Sequence, residues 1–276
     1  MTILCVLSLK GAPGVTTLSC LVAATWPTAG PVKVVEADRA GGDLSARFGL
    51  SSTTGWPSLE ASARRGGDSV PVEPHLQVLP GGLAVLVGAR GDQVPDDRAL
   101  AVTIVRRSPG LVIVDLGRVT PTADGPMGSV GSWLRSCDGA VLVVNGDAAG
   151  ALHARTHAPA LLDWTTGRLG LVAVGAGSPS GDEIGSFTGI RHLGDVPYDP
   201  AAAAVASGSS GAGRRLERSR LLASARRIAD TLAGVVGSEG PGDWADPRAV
   251  ADAGGPVETD ISVTGAGVSR GQVVAR

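Results

Sequence analysis

Residues 8–17 read SLKGAPGVTT and follow a short apolar stretch at residues 2–9. The glycines permit the backbone of a tight loop, and a helical pattern begins at Thr16. A glycine-containing loop between an apolar strand and a helix is typical of a phosphate-binding loop, because N–H groups at the start of the helix attract an anion. In such loops a lysine usually precedes the threonine, but here Val15 stands in that position. The stretch therefore predicts a nucleotide site that lacks the positive charge of the usual lysine.

Short apolar runs recur along the chain and do not alternate with polar residues. This pattern is typical of strands covered on both faces, as in a parallel sheet. Segments with helical spacing separate them, which predicts an α/β fold with a doubly wound, mostly parallel sheet and helices on both faces. The predicted strands are 2–9, 32–37, 76–79, 83–87, 111–116, 139–145 and 168–174. The predicted helices are 16–25, 41–48, 57–64, 95–107, 128–136, 147–163, 181–187, 199–206 and 214–236.

The composition changes after Gly237. Residues 237–276 are rich in Gly, Pro, Asp, Ser and Ala and have no sustained period, which predicts a flexible tail. We therefore expect one domain over residues 1–236 and a tail over 237–276. A short docking strand within 250–276 stays open as an alternative.

The bulk composition restricts the class of protein. A net charge of −2 and a pI near 6.1 exclude a chain that is basic overall, so any contact with nucleic acid would be local. The three cysteines lack metal-type spacing, which indicates reduced thiols. The chain shows no signal peptide and no apolar run long enough to cross a membrane. Together these features predict a cytoplasmic protein.

The loop resembles the deviant Walker A loop of the ParA/MinD family of P-loop ATPases, K-G-G-x-G-K-[ST]-T. Lys10 matches the signature lysine, which in that family reaches across a dimer interface to the partner's nucleotide. Thr16 matches the magnesium ligand, while Ala12 replaces a glycine and Val15 replaces the ordinary Walker lysine. The resemblance implies ATP and Mg²⁺ as cofactors. It implies nucleotide contacts at Lys10, Gly11, Ala12, Gly14, Val15, Thr16, Thr17, Pro197 and Tyr198.

Two further stretches strengthen the resemblance. Residues 34–43, VVEADRAGGD, resemble switch I, in which Asp38 matches the aspartate that positions the attacking water. Residues 111–115, LVIVD, resemble the Walker B strand, and Asp115 would hold magnesium through water. The implied catalytic residues are Asp38 and Lys10, and the implied magnesium residues are Thr16, Asp38 and Asp115.

A third stretch concerns the base of the nucleotide. Residues 194–199, GDVPYD, are similar to the segment that flanks adenine in MinD and CpaE-like proteins. The asparagine with which the family usually reads adenine is absent, since Val174-Gly175-Ala176 stands there. The resemblance covers residues 2 to about 236.

Simpler interpretations of individual residues stay open. Asp115 could cap the end of a strand, and Glu36 suits a supporting or turn position better than a catalytic one. His153 and His157 are four residues apart on a predicted helix, but no third ligand lies nearby in the sequence, so we expect no metal there.

The missing lysine predicts slow hydrolysis, because phosphoryl transfer depends on positioning and charge. Three outcomes stay open. Lys10 contacts the phosphates in place of the missing lysine, or backbone N–H groups, Thr16 and magnesium bind the nucleotide without a lysine. In the third outcome the site binds no nucleotide. The resemblance implies a degenerate, nucleotide-linked dimeric positioning or partitioning factor, closest to the CpaE/TadZ branch. The alternative is a non-enzymatic dimerising scaffold without nucleotide. A small-molecule kinase is less favoured, because no substrate-binding insertion stands out.

The last predicted helix is rich in arginine. An anionic partner such as DNA or phospholipid would explain this, and a final helix packed on the sheet with a solvated basic face is the simpler explanation. The extreme C-terminus is polar and Gly-rich, unlike the membrane helix of MinD, so membrane insertion is not expected. The candidate contacts are Arg214, Arg215, Arg218, Arg220, Arg226 and Arg227.

Overall fold

The computed structural model describes residues 1–10, 13–88, 99–121, 128–175, 177–209 and 213–236, together with Trp244. Its strands are β1 (Thr2–Ser8), β2 (Val32–Glu36), β3 (Gln77–Val78), β4 (Ala84–Leu86), β5 (Leu111–Arg118), β6 (Gly139–Asn145), β7 (Leu169–Val174) and β8 (Arg191–Val196). Its helices are α1 (Val15–Ala24), α2 (Leu44–Phe48), α3 (Trp56–Gly66), α4 (Ala99–Arg106), α5 (Gly128–Ser136), α6 (Ala148–Trp164), α7 (Gly181–Thr188), α8 (Pro200–Ala206), α9 (Gly213–Glu217) and α10 (Arg220–Val236).

The strands form one sheet in the order β3-β4-β2-β5-β1-β6-β7-β8. Every neighbouring pair is parallel except β3 and β4, which are antiparallel. Strands β2 to β5 lie on one side of β1, and strands β6 to β8 lie on its other side. The carboxyl end of β1 is therefore the point at which the strand order reverses. Open α/β sheets bind ligands at such a point. The predicted doubly wound, mostly parallel sheet is confirmed.

The two faces of the sheet bury different residues. On β5, Val112, Val114 and Leu116 belong to the apolar cluster on one face, while Leu111 and Ile113 belong to the cluster on the other. Helices α3 to α7 contribute to the first cluster, and α1 and α10 contribute to the second. Because both faces are covered, the central strands are mostly apolar, and the charged residues Lys33, Glu36 and Asp115 are buried exceptions.

Two of the sequence predictions were wrong. Strand β8 was missed because it is an edge strand with a polar sequence, and only Leu193 and Val196 are buried in it. The single helix predicted over 214–236 is two helices, α9 and α10. The break lies at Ser219, whose hydroxyl accepts a hydrogen bond from the Leu222 N–H and so caps the second helix (3.1 Å).

Other boundaries shift for identifiable reasons. The helix predicted over 41–48 begins only at Leu44, because the N–H groups of Asp43 and Leu44 donate to the buried Glu36 carboxylate. Of the helix predicted over 95–107, residues 95–98 lie outside the described residues.

Trp244 lies beyond the predicted domain boundary and is nevertheless buried, with 2 % of its surface exposed. It belongs to the apolar cluster of α1 and α10, and its ring lies against Gly139 at the start of β6. A Cβ on Gly139 would come within 2.2 Å of the indole, so only glycine fits there. The chain therefore contributes to the core at least as far as residue 244. The remainder of the predicted tail lies outside the described residues.

Candidate nucleotide site

The loop after β1 leads directly into α1. Gly14 has φ 90°, a conformation that favours glycine, and its carbonyl accepts the first helical hydrogen bond, from the Leu18 N–H (2.9 Å). Thr16 lies in the first turn of α1 and is half-buried, whereas the side chain of Lys10 is exposed. Gly11 and Ala12 lie outside the described residues. The predicted strand–loop–helix arrangement is present at the site.

Val15 is the first residue of α1 and is 6 % exposed. It belongs to the same apolar cluster as Leu18 and Leu21. At the position where a Walker lysine would carry charge, this chain therefore places an apolar side chain that helps to anchor the start of the helix.

Asp115 lies near the carboxyl end of β5, next to β1, and is fully buried. Its Oδ1 accepts a hydrogen bond from the Gly117 N–H (2.9 Å). Its Oδ2 makes no hydrogen bond of good geometry to any described residue. Burial raises the pKa of Asp115 to about 6, while the Thr16 hydroxyl and the Gly117 N–H lower it and the charges of Glu36 and Asp38 raise it. A buried carboxylate oxygen without a partner keeps its capacity to accept a hydrogen bond from water bound to a cation.

We expect Asp115→Asn to stabilise the protein without bound metal at neutral pH. The pKa of Asp115 is raised from 3.8 to about 6, so stability falls as the pH rises between these values. Each pKa unit is worth about 1.4 kcal/mol, so the full difference is roughly 3 kcal/mol. Urea unfolding in EDTA should show the variant to be more stable by up to that amount at pH 7.5. At pH 4 the two proteins should be nearly equal, and a less stable variant at pH 7.5 would contradict this account.

Asp38 lies just beyond β2, with its carboxylate against the end of β5. Its Oδ1 accepts a hydrogen bond from the Ala40 N–H (2.8 Å), and a Cβ on Gly117 would come within 1.9 Å of its Oδ2. Burial raises the pKa of Asp38, whereas the Ala40 N–H and both the guanidinium and the backbone of Arg118 lower it. The structure thus brings Asp38 and Asp115 to the same edge of the sheet.

Glu36 is a supporting residue whose role the sequence indicated only in outline. Its buried carboxylate accepts hydrogen bonds from the N–H groups of Asp43 (2.5 Å) and Leu44 (2.9 Å) at one oxygen, and from Gly88 (2.7 Å) at the other. Its backbone carbonyl accepts from the indole of Trp56 (2.6 Å). Burial raises its pKa, and these three backbone N–H groups lower it. Glu36 therefore fixes the loop that follows Asp38.

The segment predicted to flank the adenine base, residues 194–199, begins in the edge strand β8 and continues beyond its end at Val196. Pro197 is half-buried and Tyr198 is 80 % exposed. A Cβ on Gly175 would lie 3.5 Å from the Cβ of Tyr198, and the Gly175 N–H donates to the Val196 carbonyl (2.8 Å). The two predicted base-contacting residues therefore lie beside the end of β7, where the family's asparagine would be, with the tyrosine ring open to solvent.

A cavity of about 260 Å³ adjoins the loop on the side of α6. Lys10 lines it together with Asn145, Asp147 and His153. His153 stacks on His157, with 6.3 Å between ring centroids. Among the residues that the structure describes, no three His, Cys, Asp or Glu side chains form a cluster suited to a metal ion. Magnesium at this site would therefore depend on Asp115, Thr16, water and the nucleotide rather than on a protein cage, which is the usual manner of its binding.

The sheet order, the loop after β1 and the aspartates at the ends of β2 and β5 define a P-loop NTPase fold. The chain is similar to a ParA family ATPase from Chlorobium tepidum, with 17% identity, a TM-score of 0.64, and 84% of this chain and 97% of the other covered. It is similar to MinD in the MinC:MinD complex of Aquifex aeolicus, with 17% identity, a TM-score of 0.66 and coverage of 85% and 96%.

A third similar structure is MinD of Pyrococcus horikoshii complexed with Mg-ADP, with 18% identity, a TM-score of 0.63 and coverage of 85% and 98%. No family model and no curated protein matches the chain. The chain thus has the fold of the ParA/MinD ATPases, as the sequence resemblance predicted. Within the described part of the chain, no helix has the length and apolarity needed to cross a bilayer.

Proposed function

We propose that this chain is a ParA/MinD-like protein that binds ATP with magnesium, hydrolyses it slowly or not at all, and dimerises in response to it. The carrying observation is the buried Asp115, which lies near the Thr16 hydroxyl and whose Oδ2 makes no hydrogen bond of good geometry to any described residue. An unpartnered buried carboxylate oxygen is costly in a purely structural role. A magnesium-bound nucleotide would offset that cost, with Asp115 and Thr16 holding the ion and its waters.

The proposed degeneracy follows from Val15. A lysine contributes a charged hydrogen bond to the phosphates, and losing one such bond costs about 1.5–3 kcal/mol. The loss in the transition state is larger where electrostatics supply most of the catalysis. Val15 is buried in an apolar cluster and offers neither a donor nor a charge. Binding through backbone N–H groups, Thr16 and magnesium is therefore more readily retained than turnover.

Dimerisation is proposed from Lys10 and from the fold. Lys10 is exposed beside the loop, where it is free to reach a nucleotide in its own subunit or in a partner. A structure with the same fold is MinD in complex with MinC, and another is MinD with Mg-ADP. These likenesses support a role as a positioning or partitioning factor that acts through a protein partner. The absent Walker lysine and the GDVPYD segment favour a CpaE/TadZ-like role in placing pilus or secretion machinery.

The competing function is a dimerising scaffold whose loop holds no nucleotide. Calorimetric titration of Mg-ATP, with phosphate release measured in parallel, separates the candidates. The proposal predicts measurable binding with little or no turnover. Fast ATP hydrolysis would contradict the proposed degeneracy. If the chain binds no Mg-ATP, the scaffold function is supported instead.

A contact with DNA is proposed from the arginines near the C-terminus of the domain. All six are exposed, and within the described residues none of them forms an ion pair. Arg214, Arg215 and Arg218 line an open cleft of about 610 Å³ together with Asp199. Such a surface suits the phosphates of a nucleic-acid backbone.

The DNA contact predicts a specific response to charge removal. Arg214→Ala with Arg215→Ala should weaken the binding of duplex DNA and reduce the slope of log K against log salt by about two. Arg64→Ala with Arg65→Ala removes two exposed arginines from α3 and serves as the matched control. Filter binding at several salt concentrations measures both variants. Equal weakening in the two pairs, or no salt-sensitive binding by the unmodified chain, would contradict a contact at this cleft.

A further inference from the structure

The candidate site is rich in negative charge. Glu36, Asp38 and Asp115 meet at the carboxyl ends of β2 and β5, where the phosphates of a nucleotide would add more. Val15 contributes no positive charge. A bound nucleotide would therefore need positive charge from a side chain other than the absent Walker lysine.

Arg118 is placed at this edge by the sheet register. It is the last residue of β5, and its Cα is paired with that of Ser8, two residues before Lys10. The seven preceding residues of β5 are buried, whereas Arg118 is exposed and its side chain is not committed to the core. The strand register therefore places the backbone of Arg118 beside the start of the phosphate-binding loop, at the exposed end of β5.

Arg118 lies close to Asp38. The Asp38 carboxylate lies against Gly117, whose φ of 59° turns the backbone just before Arg118. A side chain on Gly117 would occupy the position of the carboxylate, so glycine is required for this approach. Both the guanidinium and the backbone of Arg118 act on Asp38. These two effects lower the pKa of Asp38 against the larger opposite effect of burial, which indicates that Arg118 lies near the aspartate that is expected to position water.

We propose that Arg118 binds the phosphates of the nucleotide and supplies the positive charge that Val15 does not. This rests on the proposed binding of Mg-ATP. Guanidinium groups suit phosphate oxygens, because their N–H donors form a planar fork that binds two oxygens at once.

A double-mutant cycle tests this assignment, with Mg-ATP affinity measured by calorimetry for the full chain. Arg118→Ala should weaken binding at least ten-fold in the unmodified chain and less than about three-fold in the Val15→Lys background, because the lysine then supplies the charge. Arg118→Lys should recover part of the loss. Arg135→Ala, an exposed arginine at the end of α5, is the matched control and should leave the affinity unchanged. Thermal unfolding verifies that each variant is folded.

The outcomes are distinguishable. If the unmodified chain binds Mg-ATP and Arg118→Ala binds it equally well, the role of Arg118 is overturned while the proposed function stands. Equal losses in the two backgrounds would also overturn it, since the arginine and the lysine would then act independently. If the unmodified chain binds no Mg-ATP, the proposed function and this inference fail together.

Discussion

Val15→Lys should tighten the binding of Mg-ATP by about 10- to 100-fold. The substitution restores a charged hydrogen bond to the phosphates, worth about 1.5–3 kcal/mol. Val15 is the first residue of α1, so a lysine there would start at the loop end of the helix, and its long side chain could carry the ammonium out of the apolar cluster. Calorimetry on the two proteins measures the difference, and phosphate release should rise with affinity.

Val15→Ala is the matched control for that prediction. It removes buried methyl groups from the same position without adding charge, so it should lower the thermal stability while leaving the affinity for Mg-ATP near that of the unmodified chain. If Val15→Lys binds no better than Val15→Ala, the missing charge is not what limits the site. The attribution of degeneracy to Val15 would then be wrong.

Lys10→Ala should abolish dimerisation in response to nucleotide. Lys10 is exposed at the start of the phosphate-binding loop. If its ammonium bridges to a partner's phosphates, its removal deletes a contact that exists only in the nucleotide-bound dimer. Light scattering with saturating Mg-ATP should therefore show a monomer for the variant. Each nucleotide would also be held less tightly, because binding and dimerisation are linked.

Lys10→Arg keeps the charge and should retain part of the dimerisation. Dimer formation by Lys10→Ala at the concentrations that suffice for the unmodified chain would contradict a role across the interface. If that variant stays a dimer but binds Mg-ATP more weakly, Lys10 serves the phosphates of its own subunit.

Much of the sheet was predictable because its residues are covered on both faces. The runs around Val34, Val114 and Leu142 are mostly apolar and do not alternate with polar residues, a pattern that is typical of buried parallel strands. Strand β8 could not be found this way. An edge strand is partly exposed, and the polar residues of β8 interrupt the apolar run by which the other strands are identified. Trp244 was missed for a different reason, since a single anchoring side chain in a Gly- and Pro-rich segment leaves no pattern.

The sequence predicted which positions form the candidate site but not the hydrogen bonds that connect them. The motif around Asp38 and Asp115 identified two residues that the structure brings to one edge of the sheet. The three backbone hydrogen bonds to Glu36 depend on loops that are distant in sequence, such as the one at Gly88. The proximity of Arg118 to Asp38 likewise follows from strand order, which the local sequence does not encode.

The central claim is that nucleotide binding without efficient hydrolysis drives dimerisation. The most direct test is the mass of the unmodified chain by light scattering, with and without Mg-ATP, at the same protein concentration. The account predicts a mass near 27.5 kDa without nucleotide and about twice that with it, stable over hours because turnover is slow. The same mass in both conditions, whether monomer or dimer, would contradict the claim.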